Sequence, residues 1–393
     1  MKYTIGQLAE IIDGDRGKNY PQQHEFLEEG YCLFLNTGNV TATGFSFESN
    51  QYISKEKCDL LRKGKLRRRD IVYTTRGTVG NAAFYADSVP YEHIRINSGM
   101  VIIRPNEDVV CTEFLYQILK SDYYRPYFKK YCTGSAQPQL PIKNFSTIEL
   151  DLPDIETQQK IADTLSSYDD LIENNQKQIR LLEEAAQRLY KEWFVDLHFP
   201  GHETTPVIDG VPEGWKRERL VDIAKVQYGY AFDGSLFNAN GNGTPIVRIR
   251  NIPAGTTADY TTESADSQYV VHNGDILVGM DGEFHINSWS GPDAYLVQRT
   301  CSFRPSNPNM KGYLLQAIYD PIKYFESTVV GATVVHLGKK HIDTITVLTA
   351  PEKLYVPFQQ CFERRQLLLN QNRLLAEARD RLLPKLMNGE IEV

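Results

Sequence analysis

Two glycine-rich loops carry side chains of the types that hydrogen-bond flat polar surfaces. TTRGTVGN (74–81) holds Arg76, Thr78 and Asn81, and MDGEFHIN (280–287) holds Asp281, His285 and Asn287. Tight glycine turns present their flanking side chains outward, and these residue types reach base edges in a nucleic-acid groove. A second feature is the run RKGKLRRR (62–69), in which Lys63, Arg67, Arg68 and Arg69 are candidate phosphate contacts. Gln137, Lys339 and Lys340 complete the set of candidate DNA-binding residues. Each feature also has a plainer reading. A glycine-rich hairpin is commonly only a turn, and a cationic run is commonly a solvated surface.

Catalytic chemistry is harder to find. No G-x-x-x-x-G-K-[ST] phosphate loop, post-strand G-x-G-x-x-G, H-E-x-x-H or G-x-S-x-G occurs. The Asn/Asp-Pro-Pro-Tyr/Phe tetrapeptide of amino-group DNA methyltransferases is missing too. Acidic PDIE (153–156) matches nuclease patterns only at chance level. His198 and His202 sit in a Pro-Gly loop without a cysteine or carboxylate set beside them, so no metal site is expected. The six cysteines are scattered without a C-x-x-C pair and read as small buried residues of a reducing compartment. Net charge is −7, which argues against indiscriminate nucleic-acid binding but leaves room for a local basic face. No signal-like segment and no apolar run of about 20 residues is visible, so a cytoplasmic protein without membrane association is expected.

The elements that position these residues occur twice. RLLEEAAQRL (180–189) and RLLAEARDRL (373–382) share seven of ten residues. Upstream, IENNQ (172–176) resembles LNQNR (369–373) with Asn175 opposite Asn372, at an offset four residues larger. GSAQPQLPIKNFSTIELDLP (134–153) parallels GATVVHLGKKHIDTITVLTA (331–350), and RRDIVYTTRGTVGNAAF (68–84) parallels NGDILVGMDGEFHINSW (273–289). The chain therefore reads as a duplicated pair of globular unit and helix. Expected boundaries are 1–154 for the first unit, 155–198 for a long helix, 199–213 for a Pro/Gly-rich linker, 214–350 for the second unit, and 351–393 for the distal helix and tail.

Within each unit the class is α+β. Strands are expected at 70–75, 98–105, 145–153, 244–252, 275–280 and 344–350, and helices at 112–121 and 312–320. Residues 155–196 lack Pro and Gly and start near Thr157, a candidate cap. Ile161, Leu165, Ile172, Asn175, Ile179, Leu182 and Leu189 follow the alternating four-and-three spacing of a coiled-coil seam. Asn372, Leu375 and Leu382 lie on a less regular stripe in the distal helix, about 357–387, where Pro384 is expected to end or kink it. The simplest arrangement pairs the two helices antiparallel as a coiled coil. Asn175 and Asn372 then either meet on the seam and fix its register, or face solvent.

At this point a family comes into view. TQQKIA (157–162) and IENNQKQIRLLEEAAQRLYKEWF (172–194) resemble the central conserved region of type I restriction–modification specificity subunits. NRLLAEARDRLLPKLMNGEI (372–391) resembles their distal conserved region. The resemblance implies a non-catalytic subunit with two target-recognition units, each reading one part of a gapped double-stranded DNA target. It implies helices that act as a ruler and as docking sites for two methyltransferase subunits. It further implies restriction (translocase/nuclease) subunits in the same assembly. S-adenosylmethionine, ATP and magnesium would then belong to those partners, with no cofactor on this chain. The alternatives are a stand-alone bipartite DNA-binding protein or orphan subunit, and a nuclease with an unrecognised site.

Overall fold

A computed structural model describes residues 1–134, 138–328 and 336–392. The chain clusters into two compact units, Met1–Asp170 with Leu375–Val393, and Leu171–Leu374. Both boundaries fall inside the long helices, so each unit owns a globular part and one section of each helix. The central helix is Ile155–Tyr190, continued by a wider π turn at Lys191–Val195, and the distal helix is Val356–Met387.

In the first unit, an antiparallel sheet runs in the order Ala9–Asp13, Met100–Pro105, Ile71–Thr74, Ala82–Phe84. Its strands are apolar on successive residues because both faces are covered. Ile71, Tyr73, Val101 and Ile103 point into one core, with Phe114, Leu115 and Ile118 of the helix Thr112–Lys120. Val72, Met100 and Ile102 point into another. That second core is shared with Leu33, Leu35, Ile94 and Ile96. These belong to a smaller sheet in which Cys32–Leu35 and Ile94–Ile96 are parallel. The strands Lys2–Thr4 and Glu149–Asp151 pair antiparallel.

The central helix starts right after this strand pair. Asp154, rather than Thr157, is its cap: the carboxylate accepts from the Thr157 backbone N–H at 3.0 Å and from its hydroxyl at 2.8 Å. Of the strand expected over 145–153, residues 145 and 146 instead end a short helix, Ile142–Ser146, and the strand itself is Glu149–Asp151. Ile161, Ala162 and Leu165 of the central helix and Leu383 and Leu386 of the distal helix complete the first core. Each such leucine or isoleucine side chain stabilises by roughly 1.5–3 kcal/mol when fully buried. Pro384 does not end the distal helix, which runs on to Met387. So close to the terminus, the N–H that proline lacks costs only one hydrogen bond of the last turn.

The second unit repeats the plan. Its antiparallel sheet has the order Ala224–Tyr228, Thr300–Pro305, Ile276–Gly279, Ile286–Ser288. A smaller sheet again contains a parallel pair, Thr244–Val247 with Ala294–Leu296. The strands Lys216–Arg219 and Thr346–Thr349 pair antiparallel. Phe194, Phe199, Trp215 and Phe358 bury into one core with Tyr313 and Phe303. The linker is accordingly anchored at both ends, and Val207–Ile208 and Val211–Pro212 form a small hairpin within it. Cys32, Cys58, Cys111 and Cys301 are buried, and all six cysteines are free thiols.

The helix sections run antiparallel within each unit. In the second, Asn175 Nδ2 donates to Asn372 Oδ1 at 2.9 Å, and Arg365 Nε donates to Glu183 at 2.6 Å. Ile179 is buried there, while Ile172 and Leu182 are half-buried and Leu189 packs against the second core. In the first, Leu375 is half-buried and Leu382 packs on the core. The Asp169 carboxylate accepts from Arg379 Nη1 at 2.7 Å, from Gln117 Nε2 at 2.7 Å, and from the Lys120 ammonium. Burial alone would raise the Asp169 carboxyl, but Lys120, Gln117 and Arg379 hold it below the usual carboxylate range. Asp169→Asn should cost about 3 kcal/mol near neutral pH, because it leaves Lys120 buried without its counter-charge. A lowered folded-state pKa contributes stability above the unfolded value, near 4, that is lost as pH falls through the folded value. Urea melts of wild type and variant should therefore diverge above about pH 4 and converge in stronger acid.

Candidate DNA interface

The first loop is built on Thr74. Its Oγ1 donates to Thr78 O at 2.5 Å and accepts from the Asn81 N–H at 2.9 Å, while Gly77 and Gly80 adopt positive φ. The N–H groups of Thr75 and Arg76 both donate to Gly99 O, at 2.9 and 3.1 Å. Leu140 N–H then donates to Thr75 O at 2.9 Å, and Arg76 forms an isolated antiparallel bridge with Gln139. Arg76 is half-exposed, and its guanidinium makes no hydrogen bond or ion pair among the described residues. Thr78 is exposed. Asn81, by contrast, is only 8% exposed and donates to Val40 O at 2.9 Å, so it holds the loop base. Gln137 lies outside the described residues.

The cationic run splits in two. Arg95, 5% exposed, donates to Leu61 O and Lys63 O at 3.0 and 2.7 Å and anchors the segment from beneath. Lys63 and Arg67 stay exposed, with side chains unpaired among the described residues. Arg68 lies 4.2 Å from the Tyr85 ring and donates to Ala86 O and Val89 O. Arg69 binds Glu107 and Glu113. These two arginines serve the fold, a distinction invisible in a run of like charges. Leu66 N–H and Ile96 N–H exchange hydrogen bonds with Ile94 O and Gly64 O, so the run borders the same segment, 94–99, that holds the Arg76 loop.

The second loop repeats these staples. Met280 N–H donates to Arg299 O at 2.8 Å, and Leu337 N–H to Met280 O at 2.8 Å. Asp281 bridges to His336 as Arg76 does to Gln139. Its Oδ1 is 2.5 Å from His336 Nδ1 and its Oδ2 is 3.2 Å from Arg299 Nη1. His285 Nδ1 lies 3.5 Å from Glu283. Lys339 and Lys340 are exposed on the short helix Lys339–Ile342. Asn287 turns inward: its Nδ2 donates to Ile252 O and Pro253 O, and its Oδ1 accepts from Arg365 Nη2 at 2.8 Å. Arg365 also donates to Ser288 Oγ at 2.6 Å, linking hairpin and distal helix to Glu183 of the central helix. Sequence reasoning missed Arg365, Arg299 and His336. For His336 a signal existed, since the duplicated segments set it opposite Gln139.

Among the described residues no group of three His, Cys, Asp or Glu side chains is placed to hold a metal. No helix among them is long and apolar enough to cross a membrane. The family model for the type I restriction modification DNA specificity domain matches twice, over residues 1–184 and 212–353. The chain belongs to that family. It is a specificity subunit of the type I restriction–modification kind, a non-catalytic component. The MjaIX specificity subunit of Methanocaldococcus jannaschii is 30% identical over 347 residues, covering 82% of this chain and 78% of its own. The HindI specificity subunit of Haemophilus influenzae is 24% identical over 455 residues, covering 96% and 98%. Among solved structures, the type I S subunit from M. genitalium superposes with a TM-score of 0.53 at 17% identity, over 98% of this chain and 96% of that one. That agreement concerns the fold. The two matches of the specificity domain fall on the two globular parts that carry the stapled loops.

Arg365 is 9% exposed and joins three elements of this subunit's second unit. Arg365→Ala should lower stability by about 3 kcal/mol, and Arg365→Met, which keeps the apolar stem, should recover part of the loss. Chemical denaturation of the three proteins measures this.

Proposed function

We propose that this specificity subunit reads a gapped, two-part double-stranded DNA target, one part through each unit. The observation that supports this reading is the repeated construction: the same four-strand order and the same backbone staples present a polar loop in each unit. The side chains on the two loops differ, which fits two different half-sites. Arg76 supplies a planar double donor suited to guanine O6 and N7. Lys63 and Arg67 in the first unit, and Lys339 and Lys340 in the second, supply charge for phosphates.

The helix sections outside the globular cores are the docking ground for two methyltransferase subunits, and through them for translocase–nuclease subunits. S-adenosylmethionine, ATP and magnesium serve those partners, in the cytoplasm where the cell's DNA is found. The helices fix the gap between the half-sites.

The experiment is methylation mapping in a host that carries the whole system. Replacing residues 1–154 by the matching unit of a relative should change one half-site and leave the other intact; a change in both halves would refute independent reading. At finer grain, Arg76→Ala should cost about 1–3 kcal/mol and relax one or two positions of one half-site. Lys63→Ala should weaken binding evenly across sequences and flatten the salt dependence. Binding of target and scrambled duplexes across a salt series separates the two behaviours.

A further inference from the structure

Three positions occupy equivalent places in the two units. The bridge pairs set Arg76 against Asp281 and Gln139 against His336. The loop staples set Gly99 against Arg299, each carbonyl accepting from the residue after the preceding strand, Thr75 or Met280. Behind both staples a glycine admits the same close approach. A Cβ on Gly14 would meet Asn97 O at 2.2 Å, and one on Gly229 would meet Val297 O at 2.0 Å. The frame is thus constant while all three side chains change. Where a fold repeats its backbone hydrogen bonds and the side chains they carry differ in charge, the two copies present different chemistry from the same frame.

Resting on the two-half reading above, we infer that these clusters are the specificity-determining triplets of the two units, with opposite hydrogen-bonding sense. In the first, Gly99 contributes no side chain, and a Cβ there would lie 2.8 Å from Thr37 Cγ2. Arg76 therefore has no carboxylate partner among the described residues, and the cluster offers donors. It reads the guanine edge, with Gln139 beside it.

In the second, Asp281 holds two partners. Arg299 neutralises and orients the carboxylate, and His336 donates its Nδ1–H to it. Asp281 retains lone pairs beyond those two bonds. The cluster therefore offers acceptors, which suit the exocyclic amino group of cytosine or adenine in the major groove. Arg299 is a positioning residue here, because it acts through Asp281.

The test uses the complete system with its methyltransferase and restriction subunits, and maps methylated motifs for each variant. Asp281→Ala, His336→Gln and Arg299→Ala should each relax the same single position of one half-site. The expected loss of preference there is roughly ten- to hundredfold. The wild-type base read at that position should be cytosine or adenine, and the other half-site should stay unchanged. The graft D281R/R299G/H336Q should replace that preference with one for guanine. Arg299→Gly alone relieves a positive φ, so it keeps the question decidable should other variants fail to accumulate. A two-part wild-type motif whose halves are indifferent to all these variants would overturn the triplets and leave the two-half reading standing. A wild-type motif with no two-part structure would overturn both.

Discussion

Neither long helix can satisfy its own apolar stripe. The central helix needs the first core at Ile161 and Leu165, and the aromatic floor of the second core just past its end at Phe194. The distal helix makes the same demands in reverse order, at Phe358 and then at Leu383 and Leu386. The globular parts need the helices equally, because the core that Tyr73 and Val101 share with Phe114, Leu115 and Ile118 is completed by Ile161, Leu165, Leu383 and Leu386. This mutual burial explains why the compact units cut across the helices and do not follow sequence order. The sheets rest on that foundation, and the loops hang from the sheets through backbone hydrogen bonds that side-chain changes leave alone.

Polar contacts between the helix sections have a different task. A hydrogen bond between Asn175 and Asn372 contributes little net energy in itself, but a shifted register would leave the buried Asn175 amide unpaired. The Asp169 and Arg365 clusters act similarly, tying helix to globular part with charge pairs that tolerate few alternatives. Apolar burial holds the helices together, and these groups decide which residues face one another.

Much of this was legible in the residues. The duplication, the α+β class, the two helices and the seam follow from repeat matching and from periodicity, which depend on side-chain pattern alone. The helix starts at residue 155 as expected, but its cap was misassigned, because Thr157 and Asp154 are both good caps and only the strand ending at Asp151 decides between them. The site was legible only in part. Arg68 and Arg69 look like Lys63 and Arg67 in a string of letters, and differ in whether a carbonyl or a carboxylate from a distant segment lies within reach. Asn81 and Asn287 have the chemistry of a base contact and spend it on carbonyls of their own fold. Such commitments come from long-range geometry, which spacing along the chain does not encode.

The backbone at Arg299, with φ of 70°, has an evolutionary consequence. A side chain in the left-handed region costs of order 1–3 kcal/mol, whereas glycine adopts it freely. Mutational drift at this residue is therefore asymmetric. Replacing the arginine by glycine releases strain, while regaining it must be tolerated against folding. A lineage under weak selection would slide toward the glycine form, and sustained selection for what the charged side chain does, such as its contact with Asp281, would be needed to keep the arginine in place.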